Sequence, residues 1–115
     1  MKLFKEIEDS KIKVVAVDFD VTLWERATFP QIGEPKLKMI EWVKTQREDG
    51  VKVILWTCRE GEHLHSAIKW CKDYGIEFDS VNENLPTCKL KTRKVVADLY
   101  VDDRGCVPFY EHATF

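Results

Sequence analysis

The 115-residue sequence predicts a three-layer α/β fold: one domain over residues 1–115, a parallel sheet, and helices on both of its faces. Three observations carry that expectation. Short β-branched runs alternate with segments of helical periodicity, glycines follow the helical segments, and three of the runs end abruptly in polar clusters. Strands that alternate with helices are joined by right-handed crossovers, which makes the sheet parallel and lays helices against its faces. Ligands of such sheets bind at the strands' carboxyl ends. The polar clusters should therefore meet along one edge.

Taken in order, Lys13-Val14-Val15-Ala16-Val17 reads as a buried parallel strand ending in Asp18-Phe19-Asp20. Pro35 suits the first turn of a helix. Leu37, Ile40, Trp42 and Val43 give that helix an apolar face, and Gly50 fits its stop. Val51 to Trp56 forms a second strand, ending at Thr57-Cys58-Arg59. A second helix over 60–74 carries Leu64, Ala67, Ile68 and Cys71 on one face, with Gly75 as its stop. Ile76 to Val81 reads as a shorter third strand. Pro86 breaks the chain, and Leu99-Tyr100-Val101 forms the last strand, ending at Asp102-Asp103-Arg104.

Composition narrows the function classes. Hydrophobic residues make up 44% of the chain and charged residues 33%, enough for one core and too apolar for a disordered chain. No apolar run approaches the ~20 residues of a membrane span, and Met1 to Glu8 interleaves charges with apolar residues, unlike a secretion signal. A cytoplasmic location is the default expectation. The net charge of −2, with acids and bases mixed, gives no reason to expect nucleic-acid or membrane affinity. Cys58, Cys71, Cys88 and Cys106 lie 13 or more residues apart with no C-x-x-C pair. Reduced, mostly buried thiols are expected, not a zinc site.

The clusters themselves suggest chemistry. Asp18 and Asp20, one residue apart in extended chain, point the same way. One carboxylate can attack phosphorus while the other moves protons to the leaving oxygen and from the attacking water. Asp102 and Asp103 join them, and so many acids in one place need a cation; oxygen ligands and a phosphate substrate favour Mg²⁺. Lys94 and the Thr57 hydroxyl would offset and hold phosphoryl oxygens. Thr57 also suits a cap for the following helix.

The ordered set Asp18-x-Asp20-x-Thr22, Thr57 after a strand, Lys94, then Asp102-Asp103 resembles the haloacid dehalogenase superfamily of phosphohydrolases. It is closer to the small bacterial and phage-type members, which carry segments similar to Ile32-Gly33-Glu34-Pro35, Leu55 to Gly61, and Arg93-Lys94 leading through Ala97-Asp98 to Asp102-Asp103-Arg104. The likeness spans roughly residues 13 to 110. It implies a Rossmann-like, haloacid-dehalogenase-like sheet and an Mg²⁺-dependent phosphatase working through an aspartyl-phosphate. Asp18 would be nucleophile and metal ligand. Asp20 would be the general acid/base and lend the metal its main-chain carbonyl. Thr57 would bind phosphate, Lys94 would stabilise it, and Asp102 would be the second side-chain ligand. Asp103 is placed at the metal's outer shell or on Lys94, and Thr22, Cys58, Arg59 and Arg104 are assigned to the substrate. Lys91 is the alternative to Lys94, and Arg59 and Arg104 suit ion pairs with surface acids equally well.

Two departures stand out. Val21 occupies a position where the family often has Gly, and the spacing from Lys94 to Asp102 is short. Only twelve residues separate Thr22 from Pro35, which implies little or no cap and an open site that suits a large or exposed substrate, unless a second copy in a homo-oligomer supplies a lid; the substrate expected is a small-molecule or exposed phosphate ester. Sugar phosphates, nucleotides and polynucleotide ends all remain open as substrates. A receiver domain uses similar residues, but its acidic pair comes first and its lysine last, the reverse of this order. A phosphotransferase, or a non-catalytic domain that binds a phospho-ligand, stays open. His63 and His65 should be exposed, and the four tryptophans core or pocket wall, with Trp24 singled out because it follows the first acidic cluster.

Overall fold

The computed structural model describes residues 12–103; Arg104 and Cys106 lie outside that range. In chain order the elements are β1 (Val14–Val17), β2 (Trp24–Glu25), β3 (Glu34–Pro35), α1 (Leu37–Glu48), β4 (Lys52–Leu55), α2 (Gly61–Asp73), β5 (Ser80–Val81) and β6 (Leu99–Val101). Four strands form an all-parallel sheet in the order β5-β4-β1-β6. The Rossmann-like α/β expectation holds.

Handedness decides what covers each face. The links from β1 to β4 and from β4 to β5 step across the sheet in one direction, while the link from β5 to β6 steps back. Right-handed crossovers then put the first two links on one face and the third on the other. The core divides that way. Val15, Val17, Val53 and Leu55 pack with Met39, Ile40, Trp42 and Val43 of α1 and with Ala67 and Cys71 of α2. Ala16 and Ile54 face the other way and meet Val95, flanked by Leu85, Ala97 and Tyr100. Among the described residues both helices therefore share one face, and the opposite layer is chain without helix from 82 to 98. The segment contains Pro86 and several lysines but no apolar stripe of helical period, so it covers its face with single side chains.

Local differences have local causes. Pro35 does not open a helix; it pairs with Trp24 in an antiparallel hairpin, and α1 begins two residues later. Proline, lacking an N–H, is tolerated on such an edge strand. The expected strand over Ile76 to Val81 shortens to Ser80–Val81, because the Asp79 carboxylate takes the Val53 N–H at 2.8 Å where a ladder carbonyl would sit. At the start of the sheet the Asp98 carboxylate accepts both Lys13 N–H and Val14 N–H, at 2.8 and 2.9 Å, joining the approach to β6 to the first residues of β1. Gly50 and Gly75 follow the two helices at φ 89° and 88°, the left-handed conformation a helix stop favours. No helix among the described residues is long and apolar enough to cross a membrane.

Candidate active site

One row of paired residues builds the site. Val81, Leu55, Val17 and Val101 lie side by side across the four strands. The next residue of each chain is therefore Asn82, Trp56, Asp18 and Asp102, aligned just beyond the sheet's carboxyl edge. Main-chain bonds carry the alignment past the strands: Asp18 N–H donates to Val101 O at 2.9 Å, Trp56 N–H to Val17 O at 2.9 Å, and Asn82 N–H to Leu55 O at 2.7 Å. An open cleft of about 580 Å³ lies over this row, lined by Asp18, Asp20, Val21, Trp56, Thr57, Cys58, Asp102 and Asp103. All four acids assigned from the sequence meet there.

Asp18 is the electrostatic centre of the cleft. Burial pushes its carboxyl up, a main-chain hydrogen bond from Phe19 opposes this, and the charges of Asp20, Asp103 and Asp102 push it further, to about 6. Crowded acids raise one another in this way when no cation lies between them. Thr22 is buried, and its hydroxyl donates to Asp18 Oδ2 at 3.5 Å. Its assignment to the substrate is corrected: it lies beneath the nucleophile candidate and does not line the cleft. Val21 takes φ 62°, so the turn after Asp20 needs the left-handed conformation that glycine would supply. Lys36 Nζ donates to Val21 O at 2.6 Å and helps hold that turn.

Thr57 lines the cleft through its own set of contacts. Its N–H donates to Asn82 Oδ1 at 2.7 Å, and its hydroxyl accepts from Arg59 N–H at 3.1 Å. It does not cap α2, whose N-cap is Glu60 without a side-chain bond. Cys58 is exposed on the cleft, against the expectation of mostly buried thiols, whereas Cys71 is buried and its thiol pushed up to about 12. His63 and His65 are exposed as expected. Trp24 is core, 1% exposed, with Phe19 edge-on at 6.4 Å, while Trp56 forms cleft wall.

The basic residues depart most from expectation. Arg59 is 1% exposed and its guanidinium grips the Asp20 carboxylate, Nη2 to Oδ1 at 2.7 Å, so it is not positioned to meet a substrate anion. Nor is it a surface ion pair. Lys94 is exposed and stands outside the cleft lining, its Nζ 5.8 Å from the Tyr100 ring centroid. Tyr100 packs against Trp56 at 5.3 Å, which puts the lysine one ring pair from the cleft. Lys91 is exposed too and does not line the cleft. Sequence reasoning passed over Asn82. The rule that strand ends converge, applied to the third strand as to the others, would have found it.

The donor set suits a hard cation in part. Among the described residues no three acidic, His or Cys side chains gather closely enough to hold a metal by themselves. Asp20's carboxylate is engaged by Arg59, leaving Asp18 and Asp102, with the Asp20 carbonyl, as the first candidates. Burial and the neighbouring acids raise the Asp18 carboxyl, and a divalent cation held there would favour its ionised form.

No family model and no curated protein matches the chain. Among solved structures it is similar to a conserved protein coded by a locus of Bacteroides thetaiotaomicron, at 40% identity over 83% of this chain and 78% of that one, with a TM-score of 0.74. The chain belongs to that protein's family. The shared sequence and the TM-score make this fold a family architecture.

Proposed function

We propose that this protein is an Mg²⁺-dependent phosphohydrolase of the haloacid dehalogenase type, acting through Asp18 on an exposed or small phosphate monoester in the cytoplasm. The observation that carries the reading is the meeting of Asp18, Asp20, Thr57, Asp102 and Asp103 in one cleft at the carboxyl edge of a parallel sheet. The motif order in the sequence supports it independently.

In this reading an Asp18 carboxylate oxygen attacks phosphorus and the bond to the leaving oxygen breaks. Asp20 gives that oxygen its proton. A water then gives its proton to Asp20 and attacks phosphorus, releasing phosphate and restoring Asp18. Asp18, Asp102 and the Asp20 carbonyl would hold Mg²⁺, with Asp103 further out; the ion supplies positive charge that relieves the clustered carboxylates and the phosphoryl oxygens. The Thr57 hydroxyl serves as a phosphoryl contact, and Asn82 fixes the main chain that presents it. Lys94 would act from the cleft's rim.

The test is phosphate release from an aryl phosphate. Turnover should require Mg²⁺, stop with EDTA, and fall at least 10³-fold in Asp18→Asn, the scale of losing a nucleophile. Full activity with EDTA, or in that variant, sinks the reading.

A further inference from the structure

We propose that Arg59 is a positioning residue for Asp20, and that it ties the placement of this carboxylate to the hairpin of β2 and β3; the inference rests on the phosphohydrolase reading above. The guanidinium is 1% exposed and makes contacts on every side. Its Nε donates to Asp20 Oδ1 and Oδ2 at 3.0 and 3.1 Å, and Nη2 donates to Oδ1 at 2.7 Å. Nη2 also reaches Pro30 O at 3.1 Å and Gln31 O at 3.4 Å, both in the hairpin loop, while Nη1 donates to His63 O in α2 at 3.3 Å. Phe19 and Phe29 lie against the cation, with ring centroids 5.0 and 4.9 Å from its central carbon.

Stability alone does not account for this arrangement. Replacing a buried ion pair with packed apolar side chains is often neutral or stabilising. What a planar fork supplies, and an apolar group does not, is a fixed orientation for a carboxylate. The fixed carboxylate here belongs to the residue assigned to proton transfer, a role in which misplacement by about 1 Å is expensive. The hairpin shares the same guanidinium through two carbonyls. Asp20 thus takes its position from the hairpin as well as from β1, and a shift of that short segment would move it.

Leaving-group dependence tests this. An alkyl phosphate needs a proton delivered to its departing alkoxide, whereas a nitrophenyl phosphate does not, and kcat/KM reports the steps through loss of the leaving group. With Mg²⁺ present, Arg59→Lys should lower kcat/KM for the alkyl ester about 30-fold or more and for the aryl ester about threefold or less, within the range of general acid catalysis. Added to Asp20→Asn, it should cause little further loss on the alkyl ester.

Phe29→Ala provides a second variant that the fold should tolerate, because Phe29 is 52% exposed. It removes one ring from the guanidinium, and the alkyl-to-aryl ratio should drop about threefold, a smaller effect in the same direction. Equal losses on the two esters in a folded Arg59→Lys protein overturn the positioning role while leaving the phosphohydrolase reading intact. If Arg59→Lys does not fold, an unchanged ratio in Phe29→Ala overturns it. Absence of any turnover by the wild-type protein overturns both.

Discussion

Val21 concentrates the tension between local preference and site geometry. It is β-branched, exposed, and held at φ 62° between Asp20 and Thr22, where side chains other than Gly, Asn or Asp are rare. Such a conformation costs of order 1–3 kcal/mol. Val21→Gly removes most of that strain but adds backbone entropy to the unfolded chain, so the net gain should be about 1 kcal/mol. Thermal unfolding would show it as a rise of roughly 4 °C. An unchanged or lower midpoint would mean that the turn is not strained. Asp20 illustrates a second residue-scale point: its carboxylate and its carbonyl carry different assignments, and Arg59 engages only the carboxylate.

At the scale of elements, the layer from 82 to 98 performs a helix's covering task without helical hydrogen bonds. Asn84 supplies part of what is missing. Its Oδ1 accepts from Val96 N–H at 2.6 Å and its Nδ2 donates to Lys94 O at 2.9 Å, pinning the far end of the segment to its start. Tyr100 adds a further clamp, its hydroxyl donating to Val95 O at 2.6 Å and accepting from Ala97 N–H at 3.2 Å. Asn84→Ala should therefore lose about 1–3 kcal/mol, since it strands the part-buried Val96 N–H. Hydrogen exchange at the Val96 amide should accelerate more than at Val53 in the sheet. Equal acceleration at both sites would show that this layer opens only with the whole fold.

For the whole molecule, the cleft sets a largely buried carboxyl, flanked by other acids, against folding when it is ionised. Asp18 has a carboxyl near 6 in the folded chain and an ordinary value of 3.8. Between those values the folded state binds more protons than the unfolded one, so this group's contribution falls as pH rises from about 4 to about 6. Without metal, Asp18→Asn should melt above the wild type at pH 7, and the gap should close as pH drops toward 4. Saturating Mg²⁺ should raise the wild-type midpoint and leave the variant's nearly unmoved, because ligands that bind only the folded state stabilise it. If the variant melts below the wild type at pH 7 in EDTA, the ionised Asp18 carboxylate does not destabilise the fold. Elsewhere the balance differs. Asp79 is pushed up by burial, but hydrogen bonds from Arg47 and Val53 and the charges of Arg47 and Lys52 outweigh this and hold its carboxyl below the ordinary range. Its stabilisation is present above the unfolded carboxyl value and lost as pH falls through the folded one.

What the sequence determined by itself is the row of strand ends. Periodicity marks β1, β4 and β6, handedness makes them parallel, and parallel strands bring their carboxyl ends to one edge. Asp18, Asp20, Thr57, Asp102 and Asp103 were legible for that reason: their positions follow from the main chain. Only the tertiary structure decided where the long basic side chains go. Arg59 is one residue past the cleft-lining Cys58, yet it turns inward to Asp20, the hairpin and α2, while Lys94 remains outside by Tyr100. A guanidinium or ammonium reaches several ångströms from its Cα, and its partners come from segments 28 to 39 residues away for Asp20, Pro30 and Gln31. No local pattern encodes such a meeting, whereas a carboxylate on a short stem stays where its strand leaves it.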